Sequence, residues 1–283
     1  MGAWEALQGQ PELWLLACAV VGLVVGSFLN VVILRVPAAL EAQWRRDAAE
    51  FLELEPPQEQ APGIIWPPSH CPQCKTPLRW WQNLPLLGFA LLRGRCGACG
   101  KSISWQYPIV ELLAAVVAVW AGLRFGPGWT AVGAIGLGWT LLALTVIDQR
   151  TQLLPDSIVL PLLWAGLLIN VSGTFVPLEQ AVIGAAAGYL SLWIVYQAFL
   201  LLTGKHGMGF GDFKLLAALG AWMGWMSLPW IVLLSSVVGL AWALLLLLAR
   251  RMQRDQPMPF GPFLAIAGWI HLLESDTLLA LLA

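Results

Sequence analysis

Charge is what this chain has least of. Lys and Arg number 15 and Asp and Glu 16 among 283 residues, 11% of the total, while 59% are hydrophobic. A water-facing surface needs roughly a quarter of its residues charged, which excludes an ordinary soluble domain. The two signs nearly cancel, to a net charge of −1. With no basic surface to neutralise phosphates, no nucleic-acid partner is expected. Cysteine is sparse as well: five in all, four of them in two short motifs. The opening residues, MGAWEALQGQPE, contain no Lys or Arg. They lack the basic flank of a secretory signal peptide, and the first apolar segment is expected to remain as an anchor.

Long apolar runs are what the chain does have. Segments near 12–36, 105–123, 129–147, 157–172, 179–203, 213–227, 228–249 and 260–280 are hydrophobic and bounded by Pro, Gly or charge. A membrane helix needs about 20 such residues. The expected fold is an all-α polytopic membrane protein of about eight transmembrane helices in a lipid bilayer, with a small zinc-binding segment outside it. With the N-terminus outside, 14 of the 15 Lys and Arg fall on one side: eight from Arg35 to Lys101, then Arg150, Lys205, Lys214, Arg250, Arg251 and Arg254. Arg124 alone falls opposite. By the positive-inside rule the cation-rich side is cytosolic. The expected organisation is a first transmembrane helix in 1–36, a cytosolic segment in 37–104 and a membrane-embedded part in 105–283. Segment 213–227 is short for a ~30 Å hydrocarbon core and reads as re-entrant or sunken.

Within the cytosolic segment, residues 38–60 have a helical apolar rhythm and read as a solvated amphipathic helix with a linker. CPQC at Cys71–Cys74 and CGAC at Cys96–Cys99 are separated by 21 residues. Pro and Gly there allow tight turns that aim two sulfurs at one ion, so Cys71, Cys74, Cys96 and Cys99 are expected to hold zinc. Two disulfides or four free thiols are the alternatives; a reducing cytosol speaks against the disulfides. Four thiolates leave the ion no open position for water, so the zinc would be structural. Cys18, alone in the first apolar run, reads as a small apolar filler.

A carboxylate inside an apolar run costs roughly 2.5–3.5 kcal/mol on insertion scales, so each needs a reason. Glu179 follows Pro177 and reads as a solvated first-turn acid. Asp156 follows Pro155 and reads as an N-cap. Glu111 lies deeper and is expected to pair with a cation or a hydrogen-bond donor. Asp148 closes the run LGWTLLALTVID, and Asp212 follows KHGMGFG and opens another. Both fall at cytosolic helix ends. Two carboxylates at one depth can share a proton, one activating water while the other polarises a carbonyl, which is the chemistry of peptide hydrolysis. Gly209 and Gly211 remove Cβ bulk and can take positive φ just before Asp212, letting an extended substrate backbone pass. A dinucleotide loop is excluded by context, because it would follow a strand and this one follows an apolar helix. Proton- or cation-coupled transport is the competing use of paired acids. It is opposed by their clustering at one face and by the lack of an inverted repeat of broken helices. A zinc-stapled membrane scaffold would leave the Gly–Asp motif idle.

GSFLNVVILRVP (26–37), CPQC, NLPLLGFALLRGRCGAC (83–99), ISWQYPIVE (103–111), DQRTQLLPD (148–156) and HGMGFGDFKLLAALGAWMGW (206–225) resemble, in order, the bacterial type IV prepilin peptidases. These are Gly-x-Gly-Asp intramembrane aspartic proteases. The resemblance implies cleavage of the short basic leader of type IV prepilins and type II secretion pseudopilins, at the cytosolic face of the bacterial inner membrane. It also implies N-methylation of the new amino terminus with S-adenosylmethionine. Carried over by position, the catalytic pair falls on Asp148 and Asp212 and the zinc ligands on the four cysteines. Methyl transfer is linked in the family to the segment around LRGRC, which points to Gly94 and Arg95, with Glu111 contributing. No glycine-rich strand–loop–helix for S-adenosylmethionine occurs here, so methyl transfer rests on the resemblance alone.

Overall fold

The computed structural model describes residues 7–55, 62–249 and 258–282, without the side chains of 275–282. Arg250, Arg251 and Arg254, three of the cations that orient the chain, lie outside the described residues. The protein is helical; among the described residues the only β pairing is two isolated bridges. It forms two units, residues 1–131 and 132–283.

In the first unit, α1 (Pro11–Phe51) is one helix of 41 residues with Pro11 in its first turn, where a missing N–H costs nothing. The sequence reading ends this helix before Pro37. The helix instead continues through it, because proline forfeits one hydrogen bond while AALEAQWRRDAAEF beyond is made largely of strong helix formers. The amphipathic helix expected in 38–60 is therefore the end of α1, and residues 56–61 lie outside the described residues. After the single turn α2 (Leu87–Leu91), α3 (Gln106–Phe125) lies along α1. Small residues let the two backbones meet: a Cβ on Gly22 would stand 2.5 Å from Ala115 Cα, and one on Gly26 2.6 Å from Glu111 Cα. Trp14 donates to the Gly122 carbonyl at 3.1 Å and Asn30 to that of Tyr107 at 3.2 Å. Cys18 is buried against Gly122, the apolar filler expected of it.

The second unit comprises α4 (Trp129–Thr151, apart from its first turn), α5 (Asp156–Ile169), α6 (Leu178–Thr203), α7 (Phe210–Met223), α8 (Leu228–Leu248) and α9 (Gly261–Leu282). Its hub is α7. Every α7 residue from Asp212 to Met223 except Lys214 is buried, with α5, α6 and α9 packed around it. Against α6 the contact is backbone on backbone: Gly184 meets Gly220, and a Cβ on Gly188 would stand 2.6 Å from the Leu216 carbonyl oxygen. At 14 residues, α7 is roughly 21 Å long, the sunken segment that the sequence suggested. Among the described residues five helices, α1, α3, α4, α6 and the Trp225–Leu248 stretch containing α8, are long and apolar enough to cross a membrane. Of the eight expected spans, those containing α5, α7 and α9 are shorter, α9 because it kinks at Glu274. The protein is a polytopic helical membrane protein.

One buried polar side chain closes the hub. Asn170, fully buried, donates to the Ala221 and Trp222 carbonyls at 3.0 and 3.1 Å and accepts the Phe175 and Val176 N–H groups at 3.0 and 3.2 Å. It thereby satisfies orphan carbonyls at the end of α7 and the turn entering α6. Asn170→Leu leaves all four groups unpaired and is expected to destabilise by on the order of 4 kcal/mol. Thermal unfolding in detergent measures this; an unchanged midpoint would mean that these groups find other partners.

Candidate active site and metal centre

Asp148 lies in the last turn of α4. The Gln152 N–H donates to its carbonyl at 2.8 Å, and Gln152 at φ 55 ends the helix. The chain turns through Leu154 to Pro155, whose fixed φ of −60 occupies the N-cap of α5. Asp156 is thus the first helical residue and not the N-cap expected. Its carboxylate accepts Lys214 Nζ at 2.8 and 2.7 Å, a bridge from α5 to the first turn of α7. Glu179 is an exposed first-turn acid, as expected.

Asp212 enters α7 behind Gly209. The expected positive φ is not used, because Gly209 stands at φ −82 and neither it nor Gly211 adopts the left-handed region. What Gly211 supplies is room: a Cβ there would stand 2.8 Å from Leu154 Cβ. The loop before it is tied to α6 by Tyr196 Oη and His206 Nδ1, 2.6 Å apart, and by the Tyr196, Phe210 and Phe213 rings, with centroids 5.3–5.7 Å apart.

The two aspartates converge. Asp148 is 4% and Asp212 8% exposed, and Leu154 borders the glycine beside each of them. Leu154 packs against Gly211 on one side and Gly261, at the start of α9, on the other. Asp148 Oδ2 has no hydrogen-bond partner. An unbonded buried carboxyl oxygen costs stability unless function supplies its partner. Leu154 and Gly261 complete this neighbourhood, and sequence reasoning passed over both. The available signal for Gly261 was a Gly-Pro pair opening an apolar run.

In the first unit the four cysteines sit on two copies of one turn. The Cys71 N–H donates to Thr76 O at 3.0 Å and the Lys75 N–H to Cys71 O at 2.9 Å. At the same offsets, the Cys96 N–H donates to Lys101 O at 2.8 Å and the Gly100 N–H to Cys96 O at 2.9 Å. Bridges His70–Pro77 and Arg95–Ser102 close both turns. The left-handed position falls on Lys75 in one and Gly100 in the other, at φ 58 and 69. All four sulfurs lie within 4.8 Å of one another, with Cys71–Cys99 at 3.9 Å and Cys74–Cys96 at 4.0 Å. A tetrahedral ion with ~2.3 Å metal–sulfur bonds spaces its ligands by about 3.8 Å, so these residues could hold one metal ion. Hydrogen bonding with the side chain and backbone of Thr76 draws the Cys74 thiol down to about 6, which favours the thiolate that a metal requires.

Beside the second turn a cleft of about 650 Å³ is lined by Phe89, Arg93, Gly94, Arg95, Ser104 and Trp105, among others. Phe89 and Trp105 stand with ring centroids 5.0 Å apart. Gly94 sits at φ +68, and a Cβ there would stand 3.1 Å from Phe89 Cζ, so backbone and wall both require glycine. Glu111 does not line this cleft. Its Oε2 accepts the Leu86 N–H at 2.8 Å, the donor that its depth demanded, and fixes the turn entering α2.

Fold and site together define a polytopic helical membrane protein with a buried aspartate pair in one unit and a four-cysteine cluster in the other. The model of the bacterial peptidase A24 N-terminal domain matches residues 20–125, and that of the type IV leader peptidase family matches residues 134–244. The prepilin leader peptidase/N-methyltransferase of Dickeya chrysanthemi is 52% identical over 264 residues, covering 93% of each chain. The protein so named in Aeromonas salmonicida is 49% identical over 277 residues, 97% of this chain and 95% of the relative. That of Pseudomonas aeruginosa is 48% identical over 273 residues, 96% and 94%. No solved structure matches. The chain belongs to the type IV leader peptidase family, as its sequence blocks suggested, and nothing in these matches supports the transporter alternative.

Proposed function

We propose that this chain cleaves the basic leader from type IV prepilins and type II secretion pseudopilins and then N-methylates the new amino terminus, at the cytosolic face of the bacterial inner membrane. The observation that carries the peptidase reading is the approach of two buried carboxyls about Leu154: Asp148 and Leu154 both border Gly261, and Leu154 also borders Gly211, next to Asp212. One carboxylate takes a proton from water, whose oxygen attacks the scissile carbonyl carbon. The other, protonated, donates to the carbonyl oxygen. Collapse of the tetrahedral intermediate passes a proton to the amide nitrogen and breaks the C–N bond, leaving a carboxylate on the leader and a free amine on the pilin. The open, side-chain-free edge at Gly209 is where the extended substrate backbone runs, while Gly211 makes room for Leu154.

The membrane part after residue 105 is assigned to hydrolysis and residues 37–104 to methyl transfer, with zinc as the ion of the cysteine cluster. The cleft fits S-adenosylmethionine in size and chemistry. Phe89 and Trp105 offer aromatic faces to a sulfonium and to adenine, and Arg93 and Arg95 offer guanidinium groups to a carboxylate. S-adenosylmethionine supplies an activated methyl group to the free amine. Gly94 keeps Phe89 in place, and Glu111 acts behind the cleft by holding Leu86.

The test is incubation of the purified protein in detergent with a peptide of basic leader, Gly, Phe and an apolar helix, read by mass spectrometry with and without S-adenosylmethionine. Cleavage between Gly and Phe is expected without it, and a 14 Da gain on the new N-terminus with it, the roughly expected mass of one methylene. No cleavage would overturn the peptidase reading. Cleavage without the mass gain would overturn the methyl-transfer reading alone.

A further inference from the structure

A glycine at the mouth of α9 bears directly on one of the two carboxyls. A Cβ built on Gly261 would stand 2.5 Å from Asp148 Oδ2, 3.3 Å from Asp148 Cγ and 3.1 Å from Leu154 Cδ1. Real Cβ atoms do not approach a carboxyl oxygen so closely, so any side chain there must push Asp148 away or push α9 back. Asp148 has little room to give, being 4% exposed at the rigid end of α4. Pro262 follows in the first helical turn, where its missing N–H costs nothing. We propose that Gly261 is a positioning residue of the peptidase site: its bare Cα is the wall that sets the Asp148 carboxyl relative to Asp212. This rests on the aspartate-pair reading above.

The wall is specific to one point on α9. Gly268, two turns along, also faces a tight neighbour, but a Cβ there would meet the flexible end of Leu219, 2.7 Å from Cδ2 and 2.9 Å from Cδ1. Gly268→Ala therefore crowds the same helix without reaching a carboxyl, and serves as the packing control.

Gly261→Ala is expected to lower kcat for leader cleavage about a hundredfold, the cost of a displacement of about 1 Å in a reacting group, with KM within about twofold. Gly268→Ala should leave kcat close to wild type. A second readout does not depend on turnover. Thermal midpoints of wild type, Gly261→Ala, Asp148→Ala and the double variant form a cycle. The Gly261→Ala loss should disappear once Asp148 is alanine, because the atoms it collides with are gone. If Gly261→Ala fails to accumulate, the double variant should accumulate. Wild-type turnover by Gly261→Ala, or an equal Gly261→Ala loss in both backgrounds, overturns the proposal. The two readings fail separately: cleavage by Asp148→Asn would sink the aspartate pair, whereas a dead Asp148→Asn beside a fully active Gly261→Ala would sink only the positioning role.

Discussion

Asp148→Asn and Asp212→Asn are each expected to leave leader cleavage near background while preserving the fold. Asparagine keeps the shape of aspartate but cannot cycle between base and acid, so either change removes several kcal/mol of transition-state stabilisation. The double variant should be no worse than the singles, because the two carboxyls act as one unit. Methylation of a synthetic, already cleaved pilin N-terminus should persist in all three, since that chemistry is assigned to residues 37–104. The other acids supply the contrast. Asp156 is half exposed and paired with Lys214, and Glu111 is spent on the Leu86 N–H, so Asp156→Asn and Glu111→Gln should retain most cleavage. Retention of more than about a tenth of wild-type cleavage by Asp212→Asn, a loss under ~1.4 kcal/mol, together with an inactive Asp156→Asn or Glu111→Gln, would move the catalytic pair elsewhere.

The second large effect is expected at the cysteine cluster. Four thiolates closing on zinc supply on the order of 10 kcal/mol of local folding energy, and the segment that they clamp has little else. Its helices are one 3-10 turn, Trp80–Asn83, and the short α2, and its pairing is two isolated bridges. Cys71→Ser or Cys99→Ser, or removal of zinc by a chelator, should loosen residues 71–99 and lower methylation before cleavage. The walls of the cleft hang on the second turn through the Arg95–Ser102 bridge and the Ile103 N–H to Gly94 O bond of 2.7 Å. Metal analysis of protein purified under reducing, chelator-free conditions should find about one equivalent of zinc. Less than half an equivalent would count against the site.

Much of this was legible because the decisive signals are local. Apolar runs make helices regardless of their neighbours, paired C-x2-C motifs carry their own turn geometry, and Asp148 and Asp212 stand out because carboxylates in apolar runs are costly. What stayed hidden depends on partners far along the chain. Asp156 looked like an N-cap because nothing local shows that Lys214, 58 positions on, claims its carboxylate. Gly211 looked like room for a substrate backbone, yet the room is taken by Leu154, and Gly261 was one glycine among 28 until α9 brought it against Asp148. Pro37 looked like a terminator because its local rule is strong, and the helix-forming run beyond it proved stronger.

The burial of α7 has a consequence for where the enzyme can work. Lipid can reach exposed apolar side chains such as Leu190 and Val195 on α6 and Leu233 and Leu240 on α8, which are 49–62% exposed. It does not touch the helix that carries Asp212, which is wrapped by α5, α6 and α9. Membranes differ in hydrocarbon thickness by a few Å, and helices that face them tilt or bend in response. Here that accommodation falls on the outer ring, while the height of Asp212 is referenced to protein alone. With Asp212 cutting as proposed, the ruler for the cut is carried inside the enzyme and does not stretch with the membrane around it.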